Sequence, residues 1–224
     1  FELTDTQYAY WAGRSSSPPL GDVSCHSYAE YDFEDLDRQR YSASWDELIK
    51  RHPMLRMTIT TDGMQRTSAT VPAFEIKHHD LRKLSEEAGH QKMLEVRNEL
   101  SHKVHDTSQW PLYTVQTVRL SDEVTRICVS IDLLLADARS LQIIMRELRD
   151  IYDAAEDKSP EEACGQGLFK NLNYTFEQYI ADHKKWQNSL EGQQALEAAS
   201  SYWDERLPEL PHGPDLPLAV APET

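Results

Sequence analysis

Residues 132–140 read Asp-Leu-Leu-Leu-Ala-Asp-Ala-Arg-Ser and set two carboxylates, Asp132 and Asp137, around an apolar tetrad at the end of a β-like run. An ionised carboxylate is costly to bury unless it is paired or hydrogen-bonded. Asp132 interrupts an apolar strand and so needs a partner. Arginine is the natural one, through two parallel N–H···O bonds, and Arg14, Arg51 and Arg56 are all candidates. For Asp137 a catalytic reading competes with helix capping, in which its carboxylate accepts orphan backbone N–H groups for ~1 kcal/mol. Ser140 stands where it could cap the same helix or touch a substrate.

Other chemistry-bearing residues make weaker cases. His78-His79-Asp80 suggests a metal or a general base, but adjacent residues on a strand point to opposite faces, so these read as surface or strand-end histidines. Cys25-His26 has the same geometry and no third ligand nearby in sequence. Arg51-His52 precedes Pro53 and reads as a turn. The chain carries no glycine-rich phosphate loop, no G-x-S-x-G elbow and no zinc-ligand spacing.

The elements that must position these residues follow from periodicity and punctuation. Residues 4–14 read as a short helix capped by Thr4 or Asp5, and residues 23–33 as a strand. A helix starting at Asp35 or Asp37 carries Tyr41, Trp45, Leu48 and Ile49 on one face. Asp62-Gly63 between two short strand-like runs predicts a hairpin. Residues 84–102 read as a helix. Residues 111–120 alternate as a half-buried strand does, and 125–135 turn wholly apolar as a central strand does. A helix after Ala138 places Leu141, Ile144, Leu148 and Ile151 on one face. Residues 155–170 read as loop, and 174–190 and 193–206 as helices with aromatic stripes. The last segment, 207–224, holds five prolines and reads as an extended linker. This order predicts an α+β fold with a mixed sheet covered by helices.

Composition bounds the function. The chain has 224 residues, 39% hydrophobic and 27% charged, with a formal net charge of -15, which suits a soluble globular domain with a real core. That acidity argues against a generic nucleic-acid or anionic-membrane binder. No run is long and apolar enough for a transmembrane helix, and no secretory signal is visible. Three cysteines without paired spacing fit a reducing cytosol. The expected location is therefore cytoplasmic. The chain starts without Met, inside recognisable sequence, so a larger parent is expected.

Four motifs resemble those of heterocyclization domains of nonribosomal peptide synthetases. Residues 1–14, FELTDTQYAYWAGR, are similar to the opening pattern F-P-L-T-x-x-Q-x-A-Y-x-x-G-R, with Glu2 in place of the proline. RHPMLR followed by DGMQ resembles the second motif. DLLLADARS matches D-x-x-x-x-D-x-x-S, which separates heterocyclization from ordinary condensation domains. LPELPHGPDLPLA resembles the next motif with extra residues inside it.

The resemblance implies one lobe of a chloramphenicol-acetyltransferase-like fold, 1–206 being the N-terminal lobe and 207–224 a segment leading to a C-terminal lobe that this chain lacks. Ordinary condensation domains carry H-H-x-x-x-D-G here. Aligned with it, Asp132 takes the first His position, Leu133 the second and Asp137 that of the Asp. Leu133 has no proton to give or take. The implied reaction joins a carrier-bound acyl thioester to a carrier-bound Cys, Ser or Thr, then cyclodehydrates the amide to a thiazoline or oxazoline. The dehydration suits a carboxylic acid of raised pKa. Asp132 and Asp137 are the implied catalytic pair, Asp137 being expected to ion-pair with an Arg and Asp132 to stand nearer a direct role. No cofactor is implied beyond the phosphopantetheine arms of upstream and downstream carrier proteins, and no nucleic acid or membrane partner. The lobe alone is expected to be catalytically silent, with an apolar inter-lobe face. The family associates with siderophore synthesis. Plain amide-forming condensation and a non-catalytic carrier-docking lobe are the competing readings.

Overall fold

The computed structural model describes residues 1–14, 23–211 and 213. The chain divides into two compact units, Phe1–Asn173 and Tyr174–Thr224. The boundary expected at 206/207 falls inside the second unit. There Leu207 keeps helical backbone as the C-cap of the last helix and opens a short 3-10 turn, Leu207–Glu209. The chain folds on through the first proline of the expected linker. Residues 212 and 214–224 of that segment lie outside the described residues.

Unit 1 is built on a four-stranded mixed sheet. Its strands are β1 (His26–Glu34), β4 (Lys77–Asp80), β5 (Tyr113–Arg119) and β6 (Val124–Asp132), in the order β1-β6-β5-β4. The β1–β6 and β5–β6 pairs are antiparallel and β4–β5 is parallel. β6 lies inside the sheet with most of its residues buried on both faces, and apolar residues fill five of its nine positions. Its odd residues, Ile127, Val129 and Ile131, enter the main core with Tyr113 and Val115 of β5. That core also takes the apolar faces of α2 (Arg38–Arg51) and α4 (Ala138–Ala154). On the opposite face Cys128 and Val118 pack against Met93, Val96 and Leu100 of α3 (Glu86–Ser101). Two-residue alternation along a strand dictates this division.

Helix starts follow local chemistry. Asp37 caps α2 by accepting from Gln39 N and Arg40 N. Ser159 and Glu162 form a reciprocal capping box with Pro160 at the first position. That box starts α5 (Pro160–Gly165) inside a stretch expected to be loop. The signal was present in Ser-Pro-Glu-Glu; the helix is simply too short to show a period. β6 ends at Asp132, so residues 133–135 are not strand. Leu134 N donates to Asp132 Oδ1 at 3.0 Å and Leu135 N to its carbonyl at 3.1 Å, a side-chain-closed turn that competes successfully with the sheet ladder.

The expected hairpin is present, with β2 (Met57–Ile59) paired antiparallel to β3 (Gln65–Thr67), and residues 53–56 before it form a 3-10 turn. Gly63 has φ +77° in the loop, and a Cβ there would lie 3.1 Å from the Trp11 ring. Glycine is required twice over, by backbone sign and by the aromatic lid that α1 (Asp5–Ala12) lays on the hairpin.

Unit 2 is a helical hairpin of α6 (Phe176–Gln187) and α7 (Leu190–Arg206). Phe176, Tyr179, His183 and Trp186 stack in series along α6, with centroids 5.5–5.8 Å apart. Among its described residues only Gly192 is buried in either helix.

Two glycines should respond oppositely to alanine. Gly63→Ala is expected to destabilise by about 1–2 kcal/mol through positive φ. Gly89→Ala in α3, where a Cβ meets nothing within 4 Å, is expected to stabilise by about 0.5–1 kcal/mol. Urea denaturation followed by circular dichroism measures both.

Candidate functional site

The site forms where β6 gives way to the turn before α4. Asp132 is wholly buried, and both its carboxylate oxygens lie 2.5 Å from Arg14 Nη2. Of the three candidate arginines the fold selects Arg14. Arg51 instead pairs with Glu147 at 2.7 Å. Arg56 closes the end of α2, donating to the carbonyls of Lys50 at 2.8 Å and of Ile49, and to Ser68 O at 2.8 Å. The arginine expected for Asp132 is thus found, 118 residues away in sequence, whereas among the described residues the ion pair expected of Asp137 is not.

Arg14 reaches this position because α1 is anchored by buried amides. Gln7 Nε2 donates to Leu134 O at 2.8 Å and to Gln65 Oε1 at 3.1 Å, while Gln65 Nε2 donates back to Gln7 Oε1 at 3.0 Å. Gln7 also completes a capping box with Thr4. Gln65 is fully buried, so an unpaired amide here would cost the desolvation of a polar group. Three stretches far apart in sequence, 1–14, 62–65 and 132–140, meet in this one hydrogen-bonded cluster.

Asp137 is exposed and caps α4, accepting from Ser140 N at 2.8 Å and Ser140 Oγ at 2.7 Å. These bonds hold its carboxyl below the usual range, the side-chain bond first and the backbone bond second. Capping thus accounts for Asp137 and for Ser140 together. Leu133, between the two aspartates, donates its backbone N–H to Cys25 O at 2.9 Å.

Sequence reasoning passed over His105, which lies in the connection between α3 and β5. Its side chain is 5% exposed, and Nδ1 stands 4.0 Å from Asp132 Oδ2. Nε2 lies 3.1 Å from Thr114 Oγ1. Burial pushes the imidazole down to about 4, against the opposing pull of Asp132. No local spacing could have flagged it, because only tertiary packing brings that connection to β6. Glu147, also missed, takes hydrogen bonds from Arg51 and from His52 Nε2, each at 2.7 Å. Burial alone would raise its carboxyl, but these donors hold it below the usual range. His78 and His79 diverge, as adjacent strand residues must: Nδ1 of one lies 2.5 Å from Thr117 Oγ1, and Nε2 of the other lies 2.7 Å from Gln116 Oε1. Among the described residues no group of three or more His, Cys, Asp or Glu could hold a metal ion, and no helix is long and apolar enough to cross a membrane.

The sheet and its helical cover define unit 1 as α+β, with the architecture of one lobe of the chloramphenicol-acetyltransferase-like fold. Comparison with known proteins makes the assignment specific. A condensation-domain family model matches residues 23–223. Pyochelin synthetase PchE of Pseudomonas aeruginosa is 34% identical over 224 residues, covering all of this chain and 14% of that protein. Phenyloxazoline synthase MbtB of Mycobacterium bovis is 30% identical over 230 residues, covering all of this chain and 15% of that protein. The cyclization-docking bidomain of EpoB from Sorangium cellulosum superposes with a TM-score of 0.85 at 32% identity, over 99% of this chain and 41% of that one. The chain belongs to the condensation-domain family of nonribosomal peptide synthetases. It spans only a small fraction of the curated relatives it matches.

Two measurements probe the site's energetics. Arg14→Leu strands the Asp132 charge in the interior and is expected to cost about 3–5 kcal/mol in denaturant unfolding. A histidine buried neutral binds fewer protons than its unfolded counterpart, so stability falls as pH drops from about 6.5 through about 4. The His105 share of that loss is expected to be of order 3 kcal/mol. His78 shifts in the same direction, so the difference between wild type and His105→Gln across that window isolates His105.

Proposed function

We propose that this chain supplies one wall of a heterocyclization site, in which an acyl thioester on one carrier protein is joined to Cys, Ser or Thr on another. The resulting amide is then cyclodehydrated to a thiazoline or oxazoline. The observation that carries this reading is Leu133. In a turn framed by Asp132 and Asp137, the position where an ordinary condensation domain presents its histidine holds a side chain that cannot move a proton. The relatives named for oxazoline synthesis and for cyclization point the same way. Substrates arrive on phosphopantetheine arms, and the chain's own partners are the carrier domains that bear them.

The roles of the residues follow from their surroundings. Asp132 fixes the site: Arg14 and Leu134 N occupy its oxygens, and through them it ties α1 to the turn. Asp137 is the accessible carboxylate, lying at the N-terminus of α4. Its lowered pKa keeps it ionised at neutral pH, so it is not the resting acid that protonates a departing hydroxyl. The raised-pKa carboxylic acid that dehydration calls for is not Asp137. On this reading the proton is delivered by groups outside this chain, which spans 41% of the cyclization-docking bidomain it superposes on, and the chain alone turns over nothing.

Intact-mass measurement of the acceptor carrier after reaction with the full synthetase tests this, with Cys-, Ser- and Thr-loaded carriers in parallel. Product one water lighter than the linear amide is expected, and linear amide alone would sink the reading. Asp132→Asn is expected to abolish both products by loosening α1. Asp137→Asn, which keeps a capping side chain, should retain amide formation.

A further inference from the structure

The Asp132 carboxylate is unevenly served. Among the described residues Oδ1 has two close donors, Arg14 Nη2 at 2.5 Å and Leu134 N at 3.0 Å, whereas Oδ2 has Arg14 Nη2 at 2.5 Å alone. A carboxylate oxygen offers two acceptor positions. The next group at Oδ2 is His105 Nδ1, 4.0 Å away. That nitrogen is buried and has no hydrogen-bond partner among the described residues. The ring cannot turn freely, because Nε2 lies 3.1 Å from Thr114 Oγ1. Thr114 is itself fixed on β5 opposite Ser130 of β6, two residues before Asp132 on the same sheet face.

We propose that His105 is a positioning residue for Asp132: its neutral imidazole, held by Thr114, presents Nδ1–H to Oδ2 and fixes the carboxylate plane that receives Arg14. A neutral imidazole has one donor and one acceptor nitrogen. The carboxylate only accepts, so the proton belongs on Nδ1, and the Thr114 hydroxyl donates to Nε2. The charged and titratable groups around the ring are Asp132 on β6, His26 on β1, Arg14 after α1 and Lys103 after α3. Burial outweighs the one anion among them and keeps the ring neutral. Arg14 therefore remains the cationic partner, and His105 adds direction without adding charge. This inference rests on the reading of Asp132 as the carboxylate that fixes the site.

Nitrogen-15 spectra of histidine-labelled protein test it without any substrate. The His105 signal is assigned by its loss in His105→Asn. Wild type is expected to show the neutral Nδ1–H tautomer, and Asp132→Asn to shift the population towards Nε2–H. An Nε2–H tautomer in wild type, or one indifferent to Asp132→Asn, overturns the proposal. The wild-type spectrum decides by itself if the Asp132 variant does not fold. A second arm uses the full synthetase and the carrier mass assay. His105→Asn, whose amide falls near the place of Nδ1, is expected within about threefold of the wild-type rate. His105→Gln, whose amide falls near Nε2, is expected to lose about fivefold or more, because it removes the N–H that faces the carboxylate across 4.0 Å. Equal rates for the two variants also overturn it. Should wild type make only linear amide, the heterocyclization reading fails while the tautomer result stands.

Discussion

The buried ion pair between Arg14 and Asp132 is the contact on which the rest of this site depends. A guanidinium and a carboxylate taken out of water offset their desolvation only when geometry is good and the remaining lone pairs are satisfied. Here Leu134 N completes one oxygen and the fold supplies the arginine from the other end of the domain. Arg14 leaves α1 just after its C-cap, so the whole helix must be held in place for the pair to form. The reciprocal amides of Gln7 and Gln65, with Gln7 also bonded to Leu134 O, do this. The cluster is specific because each polar atom depends on the next.

The division of labour between the two aspartates follows from where each sits on the strand-to-helix turn. Asp132 is the last residue of β6 and points to the sheet face covered by α3, away from water. Asp137 is five residues later, beyond the turn, where α4 begins and solvent returns. One carboxylate is therefore committed to holding elements together, and the other is free to meet whatever enters from outside. Ser140 belongs to the second by two hydrogen bonds.

The second buried carboxylate, Glu147, shows the same logic away from the turn. It joins α4 to the end of α2 through Arg51 and His52, and Arg51 continues to Lys170 O and over the Phe169 ring. The Arg-His pair that reads as a simple turn is thus part of a charged clamp that runs from α2 to the last residues of unit 1. Both pairs use residues within the family's sequence motifs, and in both the partner comes from a distant element.

The sequence by itself determined much of this protein. Thr4, Asp37 and Asp137 announce helix starts through local side-chain bonds, and Asp62-Gly63 announces the hairpin. The apolar residues Ile127, Cys128, Val129 and Ile131 announce a central strand. Four short motifs carried the family, and Leu133 carried the departure from ordinary condensation domains. Each of these signals is local, set by periodicity, capping or residue type within a few positions. What only the tertiary structure decided is which charges meet. Arg14, Arg51 and Arg56 are equivalent as residues, and nothing within reach of Asp132 along the chain distinguishes them. His105 carries no pattern at all, and Glu147 looks like one more polar position on α4. The reason is physical: a buried charge is paid for by a partner in space, and the sheet order β1-β6-β5-β4 together with the docking of α1 sets that partner.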